Sequence, residues 1–347
     1  MNDRLRTAFM RQGEACAMLG SPFMGRLMPL LAERLTPDGA VARRLLDWPG
    51  DVSSNGHSVP LRLAGALHGL VLDGTDPALA AVYPPAETDD DALWSAIATA
   101  LTRHEQRLMA WLDEAPQTNE VRRAAALIPA IWWALARHDL PVTLSELGAS
   151  AGLNLSLDRF ALEAGGTLHG PPDSPVRLAP EWSGDGPVPR PIRVTDRAGV
   201  DRNPLDPHDP AAQLRLLAYL WPDQPHRLTL TRGAIALAGT MPDRDDAAPW
   251  LARRLAAARP GQLHVVYNTI AWQYFPPETQ AAATAMLEAA GRRATATAPL
   301  VHVAMETDGA ADGAALTARL WPDPDGDGRR HLLARVDFHG RWITWRL

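Results

Sequence analysis

The chain has no lysine: all 34 side chains in the lysine-plus-arginine count of its 347 residues are arginine. That excludes Schiff-base catalysis, Walker-type phosphate loops and serine–lysine hydrolases, each of which needs a lysine ammonium. Cysteine is nearly absent as well. Cys16 alone can form neither an internal disulfide nor a cysteine-rich zinc site, and its place in an apolar helical pattern predicts a buried structural thiol. There is no excess of positive charge: the formal net charge is −6, whereas nucleic-acid binding draws on a strong positive surplus, so no nucleic-acid partner is expected. The pairs Arg122-Arg123, Arg253-Arg254 and Arg329-Arg330 read as solvated helix faces. No uncharged apolar run reaches bilayer length, and the N-terminus, with Arg4 and Arg6, lacks the apolar core of a signal peptide. A cytoplasmic protein with no membrane partner is expected.

Hydrophobic residues make up 46% and charged residues 21%, the balance of a folded chain, and the length favours two compact pieces. Residues 1–118 predict an all-helical lobe, with breakers at Gly20-Ser21-Pro22, Pro37-Asp38-Gly39 and Pro49-Gly50 and a long helix over 92–112. Residues 119–347 predict a sheet domain. It opens with a helix over 120–138, capped by Asn119 and kinked at Pro129. Short apolar runs at 142–147, 263–267 and 300–305 alternate with helical segments, which implies a mainly parallel sheet with helices on both faces, an α/β fold. Residues 160–203, rich in glycine and proline, read as an irregular or hairpin insertion. Runs at 316–320, 332–338 and 342–347, joined by turns at Asp325-Gly326-Asp327-Gly328 and His339-Gly340, predict antiparallel strands at the C-terminus.

Between the first run and the next helix stands Glu146-Leu147-Gly148-Ala149-Ser150-Ala151-Gly152-Leu153-Asn154. A strand, a tight glycine turn and a helix start are what nucleotide loops need: glycine bends the backbone through positive φ, and a helix start offers unpaired N–H groups. In an open parallel sheet such a loop lies at the carboxyl ends of the strands, where ligands bind. Glu146, two positions before Gly148, can accept bonds from an amino group or order the loop.

This segment resembles the first motif of Rossmann-like S-adenosylmethionine-dependent methyltransferases. Along nearly its whole length the chain resembles a bacterial family of unknown function, number 2332 in the domain-of-unknown-function series. That likeness rests on Gly20-Ser21-Pro22, on Leu61-Arg62-Leu63-Ala64-Gly65-Ala66-Leu67-His68, on residues 146–155, on Gly199-Val200-Asp201-Arg202-Asn203-Pro204-Leu205-Asp206, and on Trp221-Pro222-Asp223-Gln224. The family implies no activity. The methyltransferase resemblance implies a Rossmann-like sheet and S-adenosylmethionine as cofactor, held by Glu146, Gly148, Ala149, Ser150, Gly152 and Asn154, with a small molecule or a protein group as methyl acceptor. Ser150 departs from the pattern, standing where a middle glycine is common. An acidic residue closing the second strand binds the ribose in that superfamily, and Asp201 is the candidate, although it lies about 50 residues beyond Gly152 against about 20 in the dinucleotide fingerprint. Asn268, ending the run at 263–267, stands where nitrogen methyltransferases carry Asn or Asp before prolines and an aromatic; here Pro276-Pro277 follow only after Thr269 to Tyr274. Tyr267 is grouped with the cofactor-binding residues. Asn268, Tyr274 and His264 are the candidates for aligning the acceptor and taking its proton. The helical lobe is expected to cover the cleft and help choose the acceptor.

Two readings compete. Gly148-Ala149-Ser150-Ala151-Gly152 also satisfies Gly-x-Ser-x-Gly, the nucleophile elbow of α/β-hydrolases, with Asp243 or Asp308 and then His331 or His339 as partners of Ser150. Against it, everything upstream reads as helix. The third reading is a cofactor-binding sensor without catalysis. Asp201, Asp206, His208 and Asp209 contain metal-binding residue types, but the prolines among them predict a capped turn, and no metal is expected.

Overall fold

The computed structural model describes residues 3–347, which divide into two compact units. The first comprises residues up to Thr118 together with Asp209–Thr229, and the second comprises Asn119–His208 with Leu230–Leu347. Among the described residues no helix is long and apolar enough to cross a membrane.

The first unit is built of helices, the longest being Asp3–Met18, Pro22–Arg34, Val59–Leu72 and Asp90–Arg103. Helix Val59–Leu72 is apolar almost all round and is the buried centre of the unit, as that pattern requires. Its Gly65 admits the ring of Tyr219, since a Cβ there would lie 2.4 Å from Tyr219 Cε1. The continuous helix expected over 92–112 is instead two, Asp90–Arg103 and Glu105–Asp113. The break falls at His104, which leaves helical geometry and pairs its Nε2 with Asp76 Oδ2 at 2.9 Å.

The strands, all in the second unit, are β1 (Val142–Leu147), β2 (Ala161–Ala164), β3 (Thr167–His169), β4 (Arg177–Leu178), β5 (Glu181–Ser183), β6 (Val194–Asp201), β7 (Asp243–Arg244), β8 (Leu263–Thr269), β9 (Leu300–Glu306), β10 (Ala314–Trp321), β11 (Arg330–Val336) and β12 (Trp342–Trp345). Nine form one sheet in the order β5-β12-β11-β10-β9-β8-β1-β6-β7. The block β7-β6-β1-β8-β9 is parallel throughout, and β9 to β12 are antiparallel to one another. All positions of β1 and β8 are buried, as expected for strands inside a parallel sheet. The chain runs from β1 outward to β6 and β7, then returns to β8 and β9 on the other side of β1. In open parallel sheets such a reversal is where ligands bind.

The expected insertion needs a correction. Its last part is β6, a long parallel partner of β1. Only the segment before Val194 is irregular: β3-β2-β4 form a separate small sheet, and β5 pairs with β12 at the far edge. The helix expected over 120–138 starts as a 3-10 turn, Val121–Arg123, and continues as Ala124–Leu135, buried at every position. Helices Ala247–Arg254 and Pro277–Gly291 cover one sheet face, where Trp250, Leu251, Ala283 and Leu287 pack with Leu147, Val200, Val266 and Leu300.

Candidate functional site

The glycine loop follows β1 directly, and its backbone takes three positive φ values: +71° at Gly148, +54° at Ser150 and +69° at Gly152. Its amides do not line an open cradle. Gly148 and Ala149 both donate to the Val200 carbonyl, at 2.9 and 3.0 Å. Ser150 N donates to Asp201 Oδ2 at 2.9 Å, Gly152 N to the Ala149 carbonyl at 2.7 Å, and Leu153 N to Asn119 Oδ1 at 2.9 Å. The expected α-helix start is a 3-10 helix, Leu153–Arg159. The glycines answer a packing need instead. A Cβ on Gly148 would lie 2.5 Å from Ala271 Cβ, and one on Gly152 would lie 3.0 Å from both Pro242 Cγ and the Thr240 carbonyl. Ser150 Oγ and Asn154 Oδ1 are buried without a protein hydrogen-bond partner.

Glu146 sits at the carboxyl end of β1, beside Tyr267 in β8 and Gly199 in β6. It is 2% exposed and accepts one hydrogen bond from its own surroundings, from Tyr267 Oη to Oε2 at 3.2 Å. Burial pushes its carboxyl up to about 8, with the nearby Asp201 charge adding to the rise and the Tyr267 bond and Arg123 opposing it. Asp201 ends β6, next to β1, and is only partly buried. The distance in sequence is absorbed by β2 to β5. Its two oxygens accept Ser150 N and Asn203 N, one each, which leaves each a free lone pair.

Asn268 belongs to another cluster. Side chains alternate faces along a strand, so Asn268 faces opposite to its neighbour Tyr267. It is 1% exposed, donates Nδ2 to Glu306 Oε1 at 2.7 Å and pairs Oδ1 with His302 Nε2 at 2.8 Å. Glu306 ends β9; its Oε1 also accepts Ala271 N at 3.0 Å and Trp272 N at 3.1 Å, while Oε2 is buried with no protein donor. Burial raises the Glu306 carboxyl and pushes His302 down to about 4, which keeps the imidazole neutral. Arg123 donates to the carbonyls of Thr269 and Phe338, and its charge lowers both Glu146 and Glu306. Glu306 and His302 were not singled out from the sequence, and Arg123, read there as part of a solvated helix face, instead lies partly buried in a 3-10 turn. For Glu306 the signal was there: an acid closing an apolar strand run.

The other two catalytic candidates stand apart from these residues. His264 lies near the start of β8, level with Thr143, where Ser145 Oγ meets its Nε2 at 2.8 Å. Burial, aided by Arg259 and Arg254, pushes it down to about 3, so it is a neutral core side chain. Tyr274 lies in the 3-10 turn Trp272–Tyr274 and is 66% exposed.

Three of the four hydrolase partners, Asp243, Asp308 and His331, are engaged elsewhere. Asp243 accepts Trp250 Nε1, Asp308 binds Arg335, and His331 pairs with Asp323. Among the proposed metal residues, Asp201, Asp206 and Asp209 each accept nearby backbone N–H groups, as capped turns do.

The sheet's carboxyl edge thus carries Asp201, Glu146, Asn268 and Glu306 on four adjacent parallel strands. No curated protein and no solved structure matches the chain. A protein family described as "Uncharacterized protein conserved in bacteria (DUF2332)" matches it over residues 6–345, nearly its whole length. The chain therefore belongs to this uncharacterised bacterial family.

Proposed function

We propose that the second unit is a Rossmann-like domain that binds S-adenosylmethionine at the carboxyl ends of β6, β1 and β8 and transfers its methyl group to a small molecule or protein group. The observation that carries this reading is the pair of acidic side chains Asp201 and Glu146, on one face at the carboxyl ends of the adjacent strands β6 and β1, at a strand-order reversal. The amides of Gly148, Ala149, Ser150, Gly152 and Leu153 are bonded within the protein, so these five positions offer no cradle for a phosphate or for the cofactor's carboxylate. What the edge does offer is hydrogen-bond acceptors: Asp201 keeps a lone pair on each oxygen for a ribose diol. A cofactor with a ribose matches that set. When bound, it would supply an electrophilic methyl group; Asp201 would orient the ribose and Glu146 the amino end.

Calorimetric titration with S-adenosylmethionine and S-adenosylhomocysteine tests this, repeated on Asp201→Asn and Glu146→Gln. Gly148→Val is unsuitable because it clashes with Ala271 whether or not a ligand binds. Saturable binding weakened about tenfold or more by Asp201→Asn is expected. No saturable signal from the intact protein would overturn the reading. Binding without turnover of any acceptor would favour a sensor, and Ser150 labelling by an organophosphate would favour the hydrolase.

A further inference from the structure

A cavity of about 260 Å³ lies between the sheet and helix Pro277–Gly291, on the Asn268 side of the sheet. Strand register dictates its floor. His302, Ala304 and Glu306 alternate onto one face of β9, and their partners on β10 are Arg319, Thr317 and Ala315. Arg330 of β11 stands opposite Arg319. Thr284 and Leu287 of the covering helix and the Trp272 ring complete the walls.

We propose that this cavity binds a small, elongated organic amine, whose protonated nitrogen donates to Glu306 Oε2. Three facts converge on that oxygen. All three protein donors to the Glu306 carboxylate go to Oε1: Asn268 Nδ2, Ala271 N and Trp272 N. Oε2 is buried and no protein donor reaches it, a costly state for a carboxylate oxygen unless a ligand or solvent supplies the bond. The carboxylate cannot swing away, because Oε1 is held from three directions.

The remaining groups set polarity. His302 is neutral, and its Nε2 is committed to Asn268. Arg319 is paired with Glu288 and donates to the Gly328 carbonyl. Arg330 has no ion pair among the described residues and is exposed at the end away from Glu306. The field therefore runs from negative at Glu306 to positive at Arg330. A ligand aligned with it places an amine at Glu306, an apolar body along Ala304, Leu287 and Trp272, and any carboxylate toward Arg330. An ammonium at Oε2 would also favour the ionised carboxyl that burial opposes. That the amine is the methyl acceptor rests on the cofactor reading; its binding does not.

The test uses the full chain without S-adenosylmethionine and three probes of one length: n-hexylamine, 6-aminohexanoate and hexanoate, followed by saturation-transfer NMR and calorimetry. Both amines are expected to bind and hexanoate at least tenfold more weakly. Glu306→Gln, which places an amide donor or a weaker acceptor at that site, is expected to cost tenfold or more. Ala304→Leu, filling the cavity floor while leaving Glu306 intact, is expected to abolish amine binding with the melting temperature retained. Hexanoate binding as tightly as the amines, no binding by any probe, or amine affinity untouched by both variants would overturn the proposal. S-adenosylmethionine titration of Ala304→Leu separates the two sites: cofactor binding there with amine binding lost sustains both, and amine binding by a chain that ignores the cofactor sinks only the methyl-transfer reading.

Discussion

Tyr267 donates its hydroxyl to Glu146 Oε2 across 3.2 Å, between adjacent strands and out of contact with solvent. Burial outweighs that hydrogen bond and the Arg123 charge, both of which favour the ionised carboxyl, so its proton is retained into the physiological range.

A pH dependence of stability follows. Burial raises the Glu146 carboxyl from its ordinary 4.5 to about 8, so between those values the folded chain holds a proton that the unfolded chain has lost. Stability then falls as pH rises through that window, by on the order of 5 kcal/mol in total. His68 and His302, pushed down to about 4, and His264, pushed to about 3, act oppositely, and their contribution is lost as pH falls below about 6.5. Between about pH 6.5 and 8 the histidine contribution no longer changes while that of Glu146 does. Urea denaturation across that span should show declining stability for the natural chain and a flatter profile for Glu146→Gln; equal slopes would refute the assignment.

Gly148 is a packing residue with a named partner. Gly148→Ala should destabilise the second unit by about 2 kcal/mol or more, through positive φ and the collision with Ala271 Cβ. Combining it with Ala271→Gly should return the steric share but not the backbone share. Additive losses in the double variant would show that the two do not touch.

Ser150 holds a positive φ without glycine's freedom, and its hydroxyl is buried without a protein partner. Ser150→Gly should therefore leave stability equal or raise it by up to about 1 kcal/mol. Because no imidazole bonds its hydroxyl, incubation with an organophosphate should leave the intact mass unchanged. A mass shift that Ser150→Gly abolishes would contradict this.

In the first unit, Asp223 accepts Ser21 Oγ at 2.6 Å and Phe23 N at 2.8 Å, and Gln224 Nε2 donates to the Gly20 carbonyl at 2.9 Å. The Gly20-Ser21-Pro22 and Trp221-Pro222-Asp223-Gln224 segments are thus one structural joint. Asp223→Ala, which strands a helix-start amide and a hydroxyl, should cost on the order of 1–3 kcal/mol. Asp223→Asn, keeping one acceptor, should cost less. Chemical denaturation followed by tryptophan fluorescence reads the difference, and an unchanged Ala variant would refute the joint.

Some of this was legible from residue order alone. Uninterrupted apolar runs marked β1, β8 and β9 nearly to the residue, because strands inside a parallel sheet bury both faces and say so locally. The helical character of the first unit was legible from its periodicity; β6 was not, because Val-Thr-Asp-Arg-Ala-Gly-Val-Asp is half polar, and Asp201 was marked only by the methyltransferase resemblance. The break at His104 was not, since it depends on Asp76, distant in sequence. Nor was the separation of Tyr267 from Asn268, which are adjacent in the chain yet face opposite sides of the sheet.

By itself the sequence determined the secondary-structure alphabet, the missing lysine chemistry and the positions of glycine and acid at the strand ends, all properties of neighbouring residues. Only the tertiary structure decided that the amides of Gly148, Ala149, Ser150, Gly152 and Leu153 are spent on Val200, Asp201, Ala149 and Asn119, that Glu306 reaches Asn268, and that Asp209–Thr229 joins the first unit. Each of those depends on which strands and segments become neighbours, and neighbour order is set by the packing of the whole chain rather than by any stretch of it.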